Sequence, residues 1–155
     1  MPSVSASRLV ALSPERAAAL WTDVTRWATF VEGFAHVIEK DDSWPAGGSR
    51  LVWTSVPGGR GRVTERVVSS GGDHLSTRLL EESLVGTQTV SFHPADDGTC
   101  VVELALEYEL NPTSVWRQGP VGKLADALFI RRALGDSLAR TLRRFATEAA
   151  EESAL

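Results

Sequence analysis

An arginine set inside an apolar helical stripe is the feature with the clearest chemical meaning. From about Gly122 to Ala150 the chain has no proline and is rich in Leu, Ala and Arg. That pattern predicts one long helix. At about 100° per residue, Leu124, Ala127, Leu128, Leu134, Leu138, Leu142, Phe145 and Ala149 fall in one sector. Lys123, Arg132, Arg140, Arg143 and Arg144 fall away from its centre, whereas Arg131 lands among Leu124, Leu138 and Leu142. A guanidinium aimed at a core is costly unless it is paired or hydrated. Two accounts of Arg131 follow. It snorkels out or pairs with a sheet carboxylate such as Glu65, or it holds an anionic or carbonyl part of a ligand with its fixed fork of donors.

Three further polar residues are candidates for the interior. Tyr108 shares a strand face with Cys100, Val102, Leu104, Leu106 and Leu110, and a buried hydroxyl there needs a partner. Gln88 alternates with Gly86, Val90 and Phe92, and Glu65 with Val63 and Val67. Gly86 suggests the close approach of another group. Each of these polar groups fits either a satisfied core position or a ligand anchor. Trp53, Leu134 and Leu138 are the expected walls of such a site. Trp21 and Trp27 are expected to pack short helices on a sheet, and Trp116 to stand near a cavity mouth.

Other chemistries find little support. His36, His74 and His93 lie on separate segments and Cys100 stands alone, so no metal site is expected. Gly58-Gly59-Arg60-Gly61 lacks the ending of a phosphate-binding loop and precedes a strand, which predicts a hairpin turn. No G-x-S-x-G elbow occurs, and no familiar local pattern pairs a nucleophilic Ser or Cys with His. The helix arginines spread around the axis, and Glu103, Glu107 and Glu109 share the outer sheet face, which argues against nucleic acid. Phe129, on the outer side of the helix, suggests a subunit contact and hence a homodimer.

The elements that must hold these residues are legible from turn chemistry. Ser3–Leu12 reads as a strand. Ser13-Pro14-Glu15 reads as a helix start, with Ser13 as N-cap. Ala17, Leu20, Trp21 and Val24 and then Trp27, Phe30 and Val31 follow at helical spacing, giving two short helices, with Thr25 as the second cap and Gly33 as terminator. Six strands follow: Ala35–Lys40, Arg50–Val56, Arg62–Ser69, Leu75–Glu81, Val85–His93 and Cys100–Leu110. Gly, Pro, Ser and Asp turns separate most of them and predict antiparallel hairpins. Asn111-Pro112-Thr113 ends the sheet and Gly119-Pro120 breaks the chain before the helix. Strands in one block with helices at its ends imply an α+β fold, helices on one face of the sheet.

Composition agrees. The chain has 155 residues, 43% apolar and 23% charged, which suits one globular domain over 1–155. A net charge of −4 disfavours a general nucleic-acid binder. One cysteine points to a reducing compartment, and no leader or spanning segment is visible, so a cytoplasmic protein without integral membrane association is expected.

The order of elements resembles the helix-grip fold of the START-like, or SRPBCC, superfamily, and within it the polyketide cyclase/dehydrase and lipid-transport group. Three stretches carry the resemblance. They are Ser13-Pro14-Glu15-Arg16 through Leu20-Trp21-Thr22-Asp23 to Arg26-Trp27-Ala28-Thr29-Phe30; Gly61-Arg62-Val63-Thr64-Glu65; and Asp97-Gly98-Thr99 to Tyr108 with the helix beyond. The resemblance implies a curved antiparallel sheet of about seven strands around the long C-terminal helix. It also implies a mostly apolar cavity between them, and no cofactor. Members bind lipids, steroids, aromatic polyketides or quinones; some cyclise or dehydrate polyketides, and others act through protein partners. Three functions follow as expectations: binding of a hydrophobic small molecule, with Arg131, Tyr108, Glu65 and Gln88 as anchors; an aromatase/cyclase, with Arg131 stabilising an enolate and Glu65 or Tyr108 relaying protons; and an interaction module without ligand.

Overall fold

A computed structural model describes residues 2–111 and 119–155, with the side chains of the last helix from Ala127 onward. The expected element order is observed. Strand β1 (Ser3–Val10) leads into helix α1 (Pro14–Thr22), a 3-10 turn (Val24–Arg26) and helix α2 (Trp27–Phe30). Strands β2 (Phe34–Lys40), β3 (Arg50–Ser55), β4 (Arg62–Ser70), β5 (His74–Leu80), β6 (Leu84–Pro94) and β7 (Cys100–Leu110) follow, and then helix α3 (Gly119–Ser153).

The seven strands form one antiparallel sheet in the order β1-β7-β6-β5-β4-β3-β2. Five sequential hairpins account for β2 to β7, and β1 closes the far edge against β7. The α1 start follows its sequence, because the Ser13 hydroxyl accepts from Arg16 N–H at 3.3 Å. The second cap differs from expectation. The Asp23 carboxylate caps the 3-10 turn by accepting from the Thr25 backbone N–H at 3.1 Å, and α2 itself, with Arg26 ahead of it, has no side-chain cap. Gly33 does close this segment, at φ 75°.

The helix α3 is longer than its sequence suggests. Pro120 lies in its first turn, where a missing N–H removes no helical bond, so Gly119-Pro120 starts the helix and does not break the chain. Trp116 and Pro112-Thr113 lie outside the described residues, and Leu124 and Lys123 outside the described side chains.

The core lies between the sheet's inner face and the helices. β7 buries alternate residues from Cys100 to Tyr108 and leaves Glu103, Glu107 and Glu109 exposed. Leu138, Leu142, Phe145 and Ala149 carry the second half of α3 into this core. Phe145 packs edge-on against Trp21 and Phe30, with ring centres 5.1 and 5.0 Å away. Arg26 fixes the far end of α3 through Glu148 at 2.9 Å and Glu152 at 3.2 Å. The close approach at Gly86 is made by the β7 backbone: a Cβ there would run into the Glu107 carbonyl oxygen. Among the described residues no helix is long and apolar enough to cross a membrane.

Candidate functional site

A cleft of about 390 Å³ lies between one end of the sheet and the helix face carrying Ile130, Leu134 and Ser137. Leu84, Leu110, Ile130 and Leu134 form its apolar walls. Its polar side chains are Glu32, Arg60, Glu81, Ser83 and Ser137. Two hairpins at one end of the sheet supply the central pair. Arg60 comes from the turn between β3 and β4, and Glu81 from the turn between β5 and β6. Arg60 Nε donates to a Glu81 carboxylate oxygen at 2.7 Å. The Glu81 side chain is nearly inaccessible, while Arg60 stays about a third exposed.

The Arg60 turn is rigidly tied. Ser55 Oγ accepts from Gly61 N–H at 2.8 Å, and Ser55 N–H donates to the Gly61 carbonyl, also at 2.8 Å. Gly58 and Gly61 both take positive φ, so the tight turn depends on glycine. The guanidinium carbon lies 5.1 Å from the centre of the Trp53 ring, a cation–π distance. Arg60 lines the cleft, and among the described residues no hydrogen bond engages its two terminal nitrogens.

Behind this pair is a recess of about 30 Å³. It shares Glu32, Arg60 and Ser137 with the cleft, and Trp53, Glu65, Gln88 and Leu138 line it further in. Its volume suits one water-sized group. Glu65 is buried there. Its carboxylate oxygens accept from the Trp53 indole N–H at 2.7 Å and the Thr77 hydroxyl at 3.0 Å. Burial pushes the Glu65 carboxyl above its ordinary range, against the Trp53 donor, the Arg60 charge and the Thr77 donor, which act the other way. Glu32 differs. Burial tends to raise it, but the Arg140 and Ser137 side chains and the charges of Arg140 and Arg144 hold it below the ordinary value. Arg140 Nε donates to Glu32 Oε1, while Oε2 is buried and accepts no well-formed hydrogen bond.

Of the residues singled out from sequence, Trp53, Glu65, Gln88 and Leu138 meet at the recess and Leu134 lines the cleft. Tyr108 is buried in the core and lines neither space. Arg131 is exposed and borders a groove between β1 and α3, with Ser3, Ser5 and Asp136. It neither pairs with Glu65 nor reaches the interior. The reason lies in the helix geometry. The inward line follows the i, i+4 ridge Ile130–Leu134–Leu138–Leu142, which is inclined to the helix axis. One position past Ile130 the side chain has already turned away. Leu128, expected inside, is likewise 60% exposed.

The cation of the cleft is therefore Arg60, which sequence reasoning passed over as part of a turn. A signal was present: an arginine between two glycines, joining the strands that carry Trp53 and Glu65. The structure also brings together a serine, a histidine and an aspartate that sequence reasoning missed. Ser69 Oγ lies 3.1 Å from His74 Nε2, and His74 Nδ1 lies 2.8 Å from Asp73 Oδ1. These groups sit on the exposed β4–β5 hairpin and line neither the cleft nor the recess. Among the described residues no group of three His, Cys, Asp or Glu side chains could hold a metal ion.

Known structures share this architecture. The di-domain ARO/CYC StfQ from the steffimycin biosynthetic pathway superposes with a TM-score of 0.77 at 16% identity, over 99% of this chain and 52% of that one. This chain thus spans about half the length of that protein. TTHA0849 from Thermus thermophilus gives 0.74 at 20% identity, over 98% of this chain and 99% of that one. A START superfamily protein from Mycobacterium smegmatis gives 0.65 at 15% identity, over 94% and 97%. At these identities the likeness is one of fold. No curated protein matches the chain in sequence. The seven-stranded sheet gripping a long helix is a START-like fold, and residues 1–150 match the polyketide cyclase / dehydrase and lipid transport family across nearly the whole chain, so the protein belongs to that family.

Proposed function

We propose that the protein binds an apolar, oxygen-bearing small molecule in the cleft between the sheet and the first half of α3. One observation carries this reading: apolar walls end at Arg60, a guanidinium held by Glu81 with two nitrogens unclaimed among the described residues. A few convergent polar groups in an otherwise apolar hollow are the usual form of a small-molecule site. The cleft volume of about 390 Å³ lies in the range of such sites. The ligand body rests on Leu84, Leu110, Ile130 and Leu134, and its oxygen accepts from Arg60.

The neutral fluorescent ketone 6-propionyl-2-dimethylaminonaphthalene tests this. Binding should shift its emission to the blue and saturate, and Arg60→Gln should weaken it by about tenfold or more, the worth of a charged hydrogen bond. No saturable shift with folded protein would refute the reading.

A second reading, cyclisation and dehydration of a poly-β-ketone, is favoured by Glu65, a carboxyl with a raised pKa in the recess beside Arg60. In that reaction an enol carbon bonds to a carbonyl carbon. The enol proton passes to the carbonyl oxygen, and that hydroxyl then leaves with a neighbouring hydrogen as water. Arg60 would stabilise the developing oxyanion. Product formation from a linear poly-β-ketone thioester, lost in Glu65→Gln while that variant still binds 6-propionyl-2-dimethylaminonaphthalene, would separate turnover from binding.

A further inference from the structure

We infer that the cleft selects neutral ketones, phenols or alcohols and rejects carboxylates of the same shape. This rests on the cleft being a ligand site, as proposed above. The charges that face it decide the sign. Glu32 and Glu81 line the cleft, Glu32 and Glu65 line the recess, and Arg60 is the single described cation lining both. Arg60 is already neutralised by Glu81 through a 2.7 Å bond. Arg140 is likewise committed to Glu32. No lysine or histidine among the described residues lines either space. Among the described residues, a ligand carboxylate would meet no unmatched cation and three carboxyl side chains. A partly buried anion lacking its own partner is strongly disfavoured.

A neutral oxygen suffers no such penalty. A ketone oxygen accepts from the unclaimed nitrogens of Arg60. A hydroxyl can also donate towards Glu32, whose Oε2 accepts no well-formed hydrogen bond, or to the Gln88 amide oxygen at the recess. The recess, about 30 Å³, has room for one oxygen-sized group and is tight for the two oxygens of a carboxylate.

Competition against bound 6-propionyl-2-dimethylaminonaphthalene tests the selection with two molecules of one shape, 2-acetylnaphthalene and 2-naphthoate, at neutral pH. The ketone should displace the probe at a concentration about tenfold or more below that of the naphthoate. Glu81→Gln releases the Arg60 charge, so the ratio of the two affinities should move towards naphthoate by about tenfold. Naphthoate binding as tightly as the ketone to the unaltered protein would overturn the inference while leaving the binding site standing. So would an unchanged ratio in folded Glu81→Gln. If that variant does not fold, the comparison on the unaltered protein decides alone. Failure of the probe itself to bind would remove the site and the selection together.

Discussion

The Arg60 guanidinium lies over the Trp53 ring, 5.1 Å from its centre, while the indole N–H of Trp53 donates to Glu65 at 2.7 Å. One aromatic side chain thus faces the cleft's cation and feeds the buried carboxyl behind it. Trp53→Phe keeps most of the ring and removes the donor. It should cost about 1–3 kcal/mol, the penalty of leaving a buried acceptor short of its partner. The loss should grow as pH rises, because the N–H stabilises the ionised form of Glu65. Urea denaturation at pH 5 and pH 8 checks both points.

Glu65 makes a signed prediction of its own. Its pKa is raised in the folded protein from an ordinary value of 4.5, by burial first of all. The folded state therefore holds its proton to higher pH than the unfolded chain. The stability linked to this group is fully present below the ordinary carboxylate range and declines as pH rises through the raised value. Glutamine can accept from Trp53 with its carbonyl and donate to the Thr77 hydroxyl with its amide. Glu65→Gln should therefore flatten this part of the stability–pH curve above pH 5. An equally steep decline in the variant would assign the slope to other groups.

Gly86 faces Tyr108 across the β6–β7 ladder. A methyl group there would strike the Glu107 carbonyl, which is backbone and cannot swing aside. Gly86→Ala should destabilise by about 1–3 kcal/mol through overpacking. Thermal melting of the variant reads this directly, and a melt equal to that of the unaltered protein would contradict it.

Arg131 supplies the counterpart to Arg60. It is exposed beside β1, outside the cleft. Arg131→Leu should change stability by no more than about 0.5 kcal/mol, as exposed substitutions usually do. Its affinity for 6-propionyl-2-dimethylaminonaphthalene should match that of the unaltered protein. A tenfold loss would return the anchoring role to Arg131.

These two arginines show where sequence reasoning reaches. Alternation from Cys100 to Leu110 placed Tyr108 inside and the glutamates outside, because a period of two leaves little freedom. The Ser13-Pro14-Glu15 start was equally readable, because capping is local. Arg131 was misplaced because a helical wheel assumes that the inward direction runs along the axis, while packing follows an inclined ridge. Arg60 was missed because its position depends on two hairpins meeting at one sheet end, a tertiary fact. The glycines that mark its turn say only that the chain bends there.

In the proposed function, Arg60 anchors the oxygen of a ligand seated against α3. A crystal structure of the protein saturated with 2-acetylnaphthalene tests it most directly. The ketone oxygen should lie within hydrogen-bond distance of a terminal Arg60 nitrogen, with the rings against Leu84, Leu110 and Leu134. Ligand bound in the groove beside Arg131, with the Arg60 cleft empty, would contradict it.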